Sequence, residues 1–329
     1  MTGNSRPGHS RLRVAVCVVA LAATAACGGG GGGARSEGGD RRLSIATGGT
    51  SGVYFVYGGG LANVLTKEMP GLSATAEATS ASVDNMLLIG GKKSDLAFVL
   101  ADTATDAVKG EGSFKEPVKA QALARLYTNY TQVVALEGSG ITDVESLKGN
   151  KVSIGAPGSG TEIIALRVLE AAGLDPKKDI SPVGLSVAES VAAIRDGSID
   201  AFFWSGGLPT AGITDLATSD KVTLLPTDQY LSAMQEKFGE AYQEDAVPAG
   251  AYKGVDKEVP VIGVPNLLVV SSDMDEETAY NITKTLFEQK AALEQVHPEA
   301  KNLDPETASD TGEVELHPGA QRYFDEAGK

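Results

Sequence analysis

Two segments rich in glycine and hydroxyl groups have the composition of an anion-binding site. They are residues 47–52 (TGGTSG) and residues 156–160 (APGSG). Each follows a short apolar run and precedes an amphipathic segment, so each is predicted to join a strand to the start of a helix. The start of a helix offers unpaired N–H groups and a partial positive charge, and glycine allows ligand oxygens to approach that backbone. The pattern predicts two facing sites for a small anion, most simply a carboxylate.

Hydroxyl side chains in and beside these segments are candidates for ligand hydrogen bonds. A helix end contributes only about 0.3–1 kcal/mol to anion binding, or ~2 kcal/mol when partly buried, so the hydroxyls must add to it. The residues in position are Thr47, Thr50, Ser51, Ser159 and Thr161. The same side chains could instead cap the helices, and capping is compatible with ligand binding.

An arginine clamp is the other common device for holding a carboxylate. From Leu43 onward the chain contains four arginines. Arg125 lies near the end of a predicted strand at residues 120–126, next to the first crossover, which makes it the best clamp candidate, although a structural salt bridge explains it equally well. Arg167 lies in the middle of a predicted helix and is expected to face solvent.

Two aromatic residues are placed to enclose a ligand. Tyr54 follows the first glycine segment, and Trp204, with Ser205 after it, ends a predicted strand. Aromatic rings stack on or cover small ligands, and ordinary core packing is the alternative. Asn85 and Asp102 are weaker candidates, for which helix capping or a turn is the alternative.

Strands and helices are predicted to alternate in two similar passes along the chain. The first pass contains strands at 43–46, 73–78 and 95–100 and helices at 53–67 and 83–89. The second pass contains strands at 151–155, 183–185 and 200–204 and helices at 161–172 and 188–195. The passes are offset by about 105–109 residues. This order predicts parallel β-α-β units in two similar α/β lobes.

Two further apolar runs, at residues 131–136 and 261–270, fit neither pass and are predicted to be long strands at a lobe boundary. The simplest arrangement is one lobe made of residues 43–130 and 260–329, with a second lobe of residues 131–259 inserted into it. Two hinge crossovers would then connect the lobes.

The first 42 residues are predicted to lie outside the fold. Residues 1–26 contain three arginines, then an uncharged apolar run, and end in small residues, which is typical of a signal peptide. Small residues before Cys27 resemble a bacterial lipobox, so Cys27 is predicted to be acylated and to anchor the protein outside the cytoplasm. An ordinary signal peptide cut near Ala26 is the alternative. Residues 27–42 include six consecutive glycines and are predicted to be a flexible tether.

Composition argues against several classes of function. The chain has 329 residues, with 28 Lys and Arg against 43 Asp and Glu, and a formal net charge of −15. Nucleic-acid binding needs a basic face, so this acidic excess argues against it. Two Cys and three His disfavour zinc sites, disulfide frameworks and Cys–His nucleophile pairs. We therefore expect no metal, no cofactor and no nucleic-acid partner.

The ordered set of motifs resembles the TAXI family, the extracytoplasmic solute-binding proteins of tripartite ATP-independent periplasmic (TRAP) transporters. Residues 46–54 resemble its opening glycine motif, and residues 78–85 resemble a segment that usually reads Ala-Thr-Gly-Gly-Ser-Val-Glu-Asn. Further similar blocks are residues 155–162, 201–203, 207–210 and 316–320. The sequence departs from the family where Ser80 and Ala81 replace the glycine pair.

The resemblance implies a two-lobed α/β fold of the type II periplasmic-binding-protein class that closes on its ligand. It implies capture of a small carboxylate, such as glutamate, glutamine or a dicarboxylate, and delivery to TRAP permease subunits without catalysis. We expect a monomer. From their chemistry and from the resemblance together, the predicted ligand-binding residues are Thr47, Gly49, Thr50, Ser51, Gly52, Tyr54, Ser80, Ala81, Ser82, Asn85, Arg125, Gly158, Ser159, Gly160, Thr161, Glu162, Trp204 and Ser205.

Two alternative functions are considered. A ligand-sensing lipoprotein that serves a membrane receptor kinase would have the same fold and site. A short-chain dehydrogenase is suggested by Tyr280 and Lys284, which have the spacing Tyr-x-x-x-Lys. It is disfavoured because the acidic residue expected after a dinucleotide loop is not found at the end of the next strand.

Overall fold

The computed structural model describes residues 41–328. The strands are β1 (Arg41–Ala46), β2 (Leu72–Glu77), β3 (Leu96–Leu100), β4 (Ala120–Leu136), β5 (Lys151–Ser153), β6 (Ser181–Val183), β7 (Ala201–Gly206), β8 (Val222–Leu225), β9 (Gln243–Val247) and β10 (Val259–Ser271). The α-helices are α1 (Val53–Glu68), α2 (Ser82–Gly90), α3 (Ala101–Lys109), α4 (Gly160–Ala171), α5 (Val187–Arg195), α6 (Ala211–Ser219), α7 (Leu231–Phe238), α8 (Glu276–Glu288), α9 (Lys290–Val296) and α10 (Pro318–Ala327). Short 3₁₀-helices are Glu145–Leu147, Asp228–Tyr230 and Pro298–Asn302.

The N-terminal predictions fall mostly outside the described residues. The predicted signal peptide, Cys27 and the predicted tether up to residue 40 are among the residues that the structure does not describe. The predicted tether includes Arg41 and Arg42, but these residues begin β1, where they pair with Leu72 and Ser73 of β2. The first strand therefore starts two residues earlier than predicted.

The described strands belong to one sheet. Its order is β2-β1-β3-β10-β4-β7-β5-β6, with β8 also paired to β4 and β9 to β10. β1 lies between β2 and β3 and is parallel to both, while β5 lies between β6 and β7 and is parallel to both. These two parallel triplets confirm the predicted β-α-β units.

Two long antiparallel strands, β4 and β10, join the triplets. Residues 120–130 of β4 pair with residues 263–271 of β10, whereas residues 130–136 of β4 pair with β7 and β8. The prediction of separate strands at 120–126 and 131–136 is therefore wrong. The polar residues between them remain extended because both sides of the chain find a partner strand.

The shared strands divide the described chain into two halves. We call residues 41–130 and 264–328 the first half and residues 131–263 the second half. One buried apolar cluster lies within each half, and a third continues from one half into the other. The halves therefore share both strands and part of their core.

Two features that would bear on function are absent from residues 41–328. None of their helices combines the length and the apolar character that a membrane crossing requires. In the same residues, no group of three or more His, Cys, Asp or Glu side chains is placed to hold a metal ion.

Candidate functional site

A cavity of about 200 Å³ lies where the two halves meet. Its walls are the first turns of helices from both halves, together with residues of β4 and β7. Every residue that lines it is uncharged, and hydroxyl-bearing residues alternate with glycine and apolar ones. The cavity has the size of a small-molecule site.

The first-half wall contains the start of α1. Gly52 is the N-cap of this helix, and no side chain caps the helix there. The N–H groups of Val53 and Tyr54 have no acceptor among the described residues, while the Gly52 N–H donates to the Gly49 carbonyl at 2.9 Å. This helix end can therefore donate hydrogen bonds to an anion.

The second-half wall contains the starts of α4 and α5. Ser159 caps α4 by accepting the Glu162 N–H at 3.0 Å, and Ser186 caps α5 through a reciprocal pair of bonds with Glu189. Each cap occupies the third N–H of its helix and leaves the first two without an acceptor in the described part of the chain. The residues that carry these N–H groups line the cavity, and they are Gly160, Thr161, Val187 and Ala188.

Two buried hydroxyls at the cavity have no hydrogen-bond partner within residues 41–328. They belong to Tyr127 on β4, which is 2% exposed, and to Ser205 on β7, which is 5% exposed. Burial raises the pKa of Tyr127 well above its usual value, so the hydroxyl keeps its proton. Buried polar groups nearly always have a partner, so these two hydroxyls are exceptions, and their oxygens are covered by protein rather than open to the cavity.

Aromatic rings form the apolar part of the lining. The Trp204 indole N–H donates to Thr210 Oγ1 at 2.8 Å, and the Tyr54 hydroxyl donates to Asn266 Oδ1. Burial raises the pKa of Tyr54 above its usual value, so this donor is retained. A Cβ added to Gly52 would lie 3.4 Å from Trp204 Cη2. The second-half indole therefore packs on the first-half start of α1.

A chain of buried amides links the strands next to the cavity. The Asn266 side chain donates to the Tyr127 carbonyl at 3.1 Å and to Asn129 Oδ1 at 2.9 Å. The Asn129 amide in turn donates to the Ser205 carbonyl at 3.2 Å. With the Tyr54 hydroxyl, this network connects α1, β10, β4 and β7.

Direct contacts join the halves at the edge of the cavity. The Gly158 carbonyl accepts the N–H groups of Val83 and Asp84, at the start of α2, at 3.1 and 3.2 Å. Gly160 lies so close to the first half that an added Cβ would be 2.5 Å from Leu100 Cδ1. Only glycine fits at this position without displacing a neighbour.

A buried ionic cluster that does not line the cavity also joins the halves. Arg167 of α4 reaches Asp102 and Asp106 of α3 at 3.4 and 2.5 Å, and the Tyr242 hydroxyl donates to Asp102 at 3.0 Å. Burial is the largest influence on the pKa of Asp106 and raises it, while the Arg167 charge opposes the rise. We call these four residues the ionic clasp.

The ionic clasp corrects the expectation for Arg167. Its side chain is 12% exposed rather than facing solvent. The carboxylates that bury it belong to α3, which sequence reasoning did not predict. Asp102, a weak ligand candidate, lies in the clasp and does not line the cavity.

The structure brings most of the predicted ligand-binding residues together around the cavity. They are Gly49, Thr50, Ser51, Gly52, Tyr54, Ser80, Ala81, Ser82, Ser159, Gly160, Thr161, Trp204 and Ser205.

Four other predicted residues support the lining without contributing to it. Asn85 donates to the Thr47 carbonyl at 2.7 Å, and this bond holds the start of the first glycine segment against α2. Glu162 accepts the Gly158 N–H at 2.8 Å, which closes the turn before α4. These side chains shape the two loops, and their polar atoms are already bonded to the protein.

Three predicted candidates lie away from the cavity. Arg125 is in the middle of β4 rather than at a strand end, and it donates to Gln243 Oε1 at 3.0 Å. Tyr280 and Lys284 are on α8, where the Tyr280 hydroxyl donates to Glu326 at 2.7 Å. None of the three residues lines the cavity that the two glycine segments line.

Sequence reasoning missed several residues of the lining. Tyr127 and Asn129 lie in the polar interruption of β4, where no strand was predicted. Ser186 precedes Glu189 by three residues, and this Ser-x-x-Glu spacing is the signature of a capping box. The capping-box spacing of Ser186 was therefore visible in the sequence. The placement of Tyr127 and Asn129 at the cavity follows only from strand pairing.

Comparison with solved structures defines the class of fold. A binding protein component of an ABC phosphonate transporter from Pseudomonas aeruginosa superimposes with a TM-score of 0.54 at 13% identity, covering 80% of each chain. The periplasmic aliphatic sulphonate binding protein SsuA from Escherichia coli gives a TM-score of 0.50 at 17% identity, covering 87% of this chain and 83% of that chain. At these identities the similarity concerns the fold, which is the α/β fold of type II periplasmic binding proteins.

The chain belongs to the NMT1-like family, whose model matches residues 45–328. The motifs that resemble the TAXI family lie inside this range, and the TAXI assignment stays a prediction.

Proposed function

We propose that the protein is an extracytoplasmic solute-binding protein that captures a small carboxylate between its two halves and releases it to a membrane permease. Capture and release require no covalent step. The fold class supports a binding role, and the halves act as the lobes of that fold, hinged at β4 and β10.

One observation carries the proposal. Three helices, α1 from the first half and α4 and α5 from the second, direct their N-termini at one cavity and leave N–H groups without an acceptor among residues 41–328. An anion in the cavity would accept from both halves at once. Its binding would therefore favour the arrangement in which the halves meet.

The permease is proposed to be of the TRAP type, because the motifs at residues 46–54 and 78–85 resemble the TAXI family. One of the neighbours named above, the protein from Pseudomonas aeruginosa, is a component of an ABC phosphonate transporter, so an ABC permease is the competing partner. Acylation of Cys27 would tether the protein to the membrane beside either permease.

A thermal-shift screen of the purified protein tests the ligand class. At a concentration one hundred times its Kd, a ligand stabilises by about 2.7 kcal/mol, which corresponds to a rise in Tm of about 5 °C for a chain of this size. We expect such a rise with at least one of glutarate, 2-oxoglutarate, succinate, glutamate and glutamine. Glutaramide, the uncharged diamide of glutarate, is the matched control and is expected to give no rise. If no small carboxylate raises the Tm above that control, the proposed function fails.

Uptake by membrane vesicles separates the two permease types. A TRAP permease is driven by an ion gradient, so uptake of the bound ligand should stop when the gradient is collapsed and continue when ATP is withheld. The opposite pattern would assign the protein to an ABC system.

A further inference from the structure

We propose that Glu299 is a positioning residue that fixes the orientation of the Trp204 indole in the wall of the cavity. Glu299 lies in the 3₁₀-helix after α9, in the first half, and it does not line the cavity, so it acts through the residues between it and Trp204. This inference deepens the proposed function and rests on it, because Trp204 forms part of the surface that a solute would contact.

Glu299 is a buried carboxylate that is bonded by N–H groups. The residue is 3% exposed. Its carboxylate accepts the Leu208 N–H and, at 2.6 Å, the side-chain amide of Asn302. Burial is the largest influence on the pKa of Glu299 and raises it, these two bonds oppose the rise, and the Asp245 charge adds to it. Because burying a charge is costly, a carboxylate at this position indicates a role beyond packing.

The bond to Leu208 anchors a turn of the second half, residues 207–210, which we call the wall turn. A Cβ added to Gly207 would lie 2.6 Å from Glu299 Oε1. Glycine at this position therefore allows the carboxylate to come close to the backbone of the turn. As a result, the wall turn is held by a residue that lies outside its own half.

Two hydrogen bonds continue from the wall turn to the indole. Thr210 Oγ1 donates to the Gly207 carbonyl at 2.9 Å and accepts the Trp204 indole N–H at 2.8 Å. A hydroxyl can do both, since it has one donor and two acceptor sites. Thr210 is 1% exposed, and its backbone N–H donates to the Tyr252 hydroxyl at 3.1 Å. A continuous path of hydrogen bonds and backbone thus connects Glu299 to the indole.

The indole is also confined by backbone on two sides. A Cβ added to Gly206 would lie 2.2 Å from Trp204 Nε1, and one added to Gly52 would lie 3.4 Å from Trp204 Cη2. The ring therefore lies between the end of β7 and the start of α1. Because the N–H is the hydrogen-bonding group of an indole, the bond to the wall turn sets how the ring lies between these two segments.

Fluorescence of the purified protein tests the proposal, because Trp204 is the only tryptophan of the chain. Glu299→Leu removes the acceptor of the Leu208 N–H and keeps a side chain of similar size. We expect the emission of Trp204 to move to longer wavelength and its quenching by acrylamide to increase, because the released indole becomes more exposed to water. Glu299→Gln keeps an acceptor oxygen and should restore the wild-type spectrum. A wild-type spectrum in Glu299→Leu overturns the proposal, and failure of Glu299→Gln to restore it overturns the route through the Leu208 bond.

Two further variants separate positioning from a general loss of stability. Asp95→Leu removes a carboxylate that accepts the Ser44 N–H at 2.8 Å within the first half and does not line the cavity. It should lower the Tm and leave the emission unchanged, and an equal shift in this variant overturns the proposal. Thr210→Val removes the acceptor of the indole and should give the shift of Glu299→Leu. The double variant should show no further shift, because both changes break one path, whereas additive shifts contradict that path.

Titration connects the position of the indole with capture of the solute. With 2-oxoglutarate and glutarate as probes, we expect Glu299→Leu to weaken binding about two- to tenfold and Glu299→Gln to restore it. Wild-type affinity in Glu299→Leu, despite a shifted emission, overturns the contribution of the positioned indole to capture. If neither probe binds the wild type and the thermal-shift screen is also negative, the proposed function fails, whereas the emission spectra still decide whether Glu299 positions Trp204.

Discussion

At the scale of single residues, Asn266 makes three side-chain hydrogen bonds at the junction of the halves. Its amide accepts from Tyr54 and donates to the Tyr127 carbonyl and to Asn129. It is fully buried, in a stretch of β10 where the strand register is irregular. A buried amide whose hydrogen bonds are all formed holds its neighbours in place. Each partner that loses its bond to the amide is left buried without a hydrogen-bond partner.

Replacing Asn266 by leucine should therefore be costly. Leucine has a similar size, but it would leave the Tyr54 hydroxyl and the Asn129 oxygen without partners, and we expect unfolding free energy to fall by about 2–4 kcal/mol. Urea denaturation measures the change. Asn281→Leu, on the outer part of α8, is the control and should change stability by no more than about 0.5 kcal/mol. Equal effects in the two variants would contradict the role given to Asn266.

At the scale of elements, the start of α4 packs closely against the first half. The residue at this first helical position is glycine, and an added Cβ would lie 2.5 Å from Leu100 Cδ1 and 2.7 Å from Ser82 Oγ. The same turn carries N–H groups that line the cavity. Contact between the halves and ligand binding therefore depend on the same turn.

Gly160→Ala should hold the halves apart without unfolding either one. We expect ligand affinity, measured by titration, to fall at least about tenfold because the ligand can no longer contact both halves. Gly59→Ala on α1 is the control, because a Cβ added at Gly59 would meet no neighbouring atom within 4 Å. That control should bind normally and gain about 0.5–1 kcal/mol of stability. Unchanged affinity in Gly160→Ala would show that the halves do not need this contact.

The elements also show which strands and helices could be predicted from the sequence. The parallel triplets and the glycine segments follow from local signals, namely apolar runs, glycine turns and a repeated order. α3 was missed because its residues follow β3 with no turn between them and alternate small and acidic types. β4 was split because residues 127–130 are polar, and only pairing with β10 and β7 keeps them extended.

The loops of the candidate site could be predicted from the sequence, but the strand residues beside them could not. The two glycine segments carry their own signal, and both reach the cavity. Arg125 and Tyr127 are two residues apart on the same strand, yet only Tyr127 lines the cavity. The sequence could not separate them because strand partners, rather than residue type, decide which side chains meet the helices.

At the scale of the whole molecule, the ionic clasp links α3 of the first half to α4 of the second. A buried ion pair adds little net stability to one arrangement, but removing one partner is costly because the other charges stay buried. The clasp therefore favours the arrangement in which the halves touch as long as all its members are present.

Arg167→Met should shift the protein towards separated halves. The two carboxylates would lose their cation at a cost of about 3–5 kcal/mol, and separation of the halves would relieve that cost by exposing them to water. We expect a larger radius of gyration by small-angle X-ray scattering and ligand binding weakened at least about tenfold. Arg195→Met removes a more exposed arginine that pairs only within the second half, and it should change neither quantity. A radius unchanged by Arg167→Met would argue against this role of the clasp.

The strand β10 has a consequence for biosynthesis. β3 and the first part of β4 both pair with it, although they precede it in the chain by well over a hundred residues. Most of the second half, from β5 to α7, is synthesised before β10. Until then β3 presents an open edge, which is a site for mispairing with other chains. We therefore expect the nascent chain to be most prone to mispairing at β3 until β10 has been synthesised.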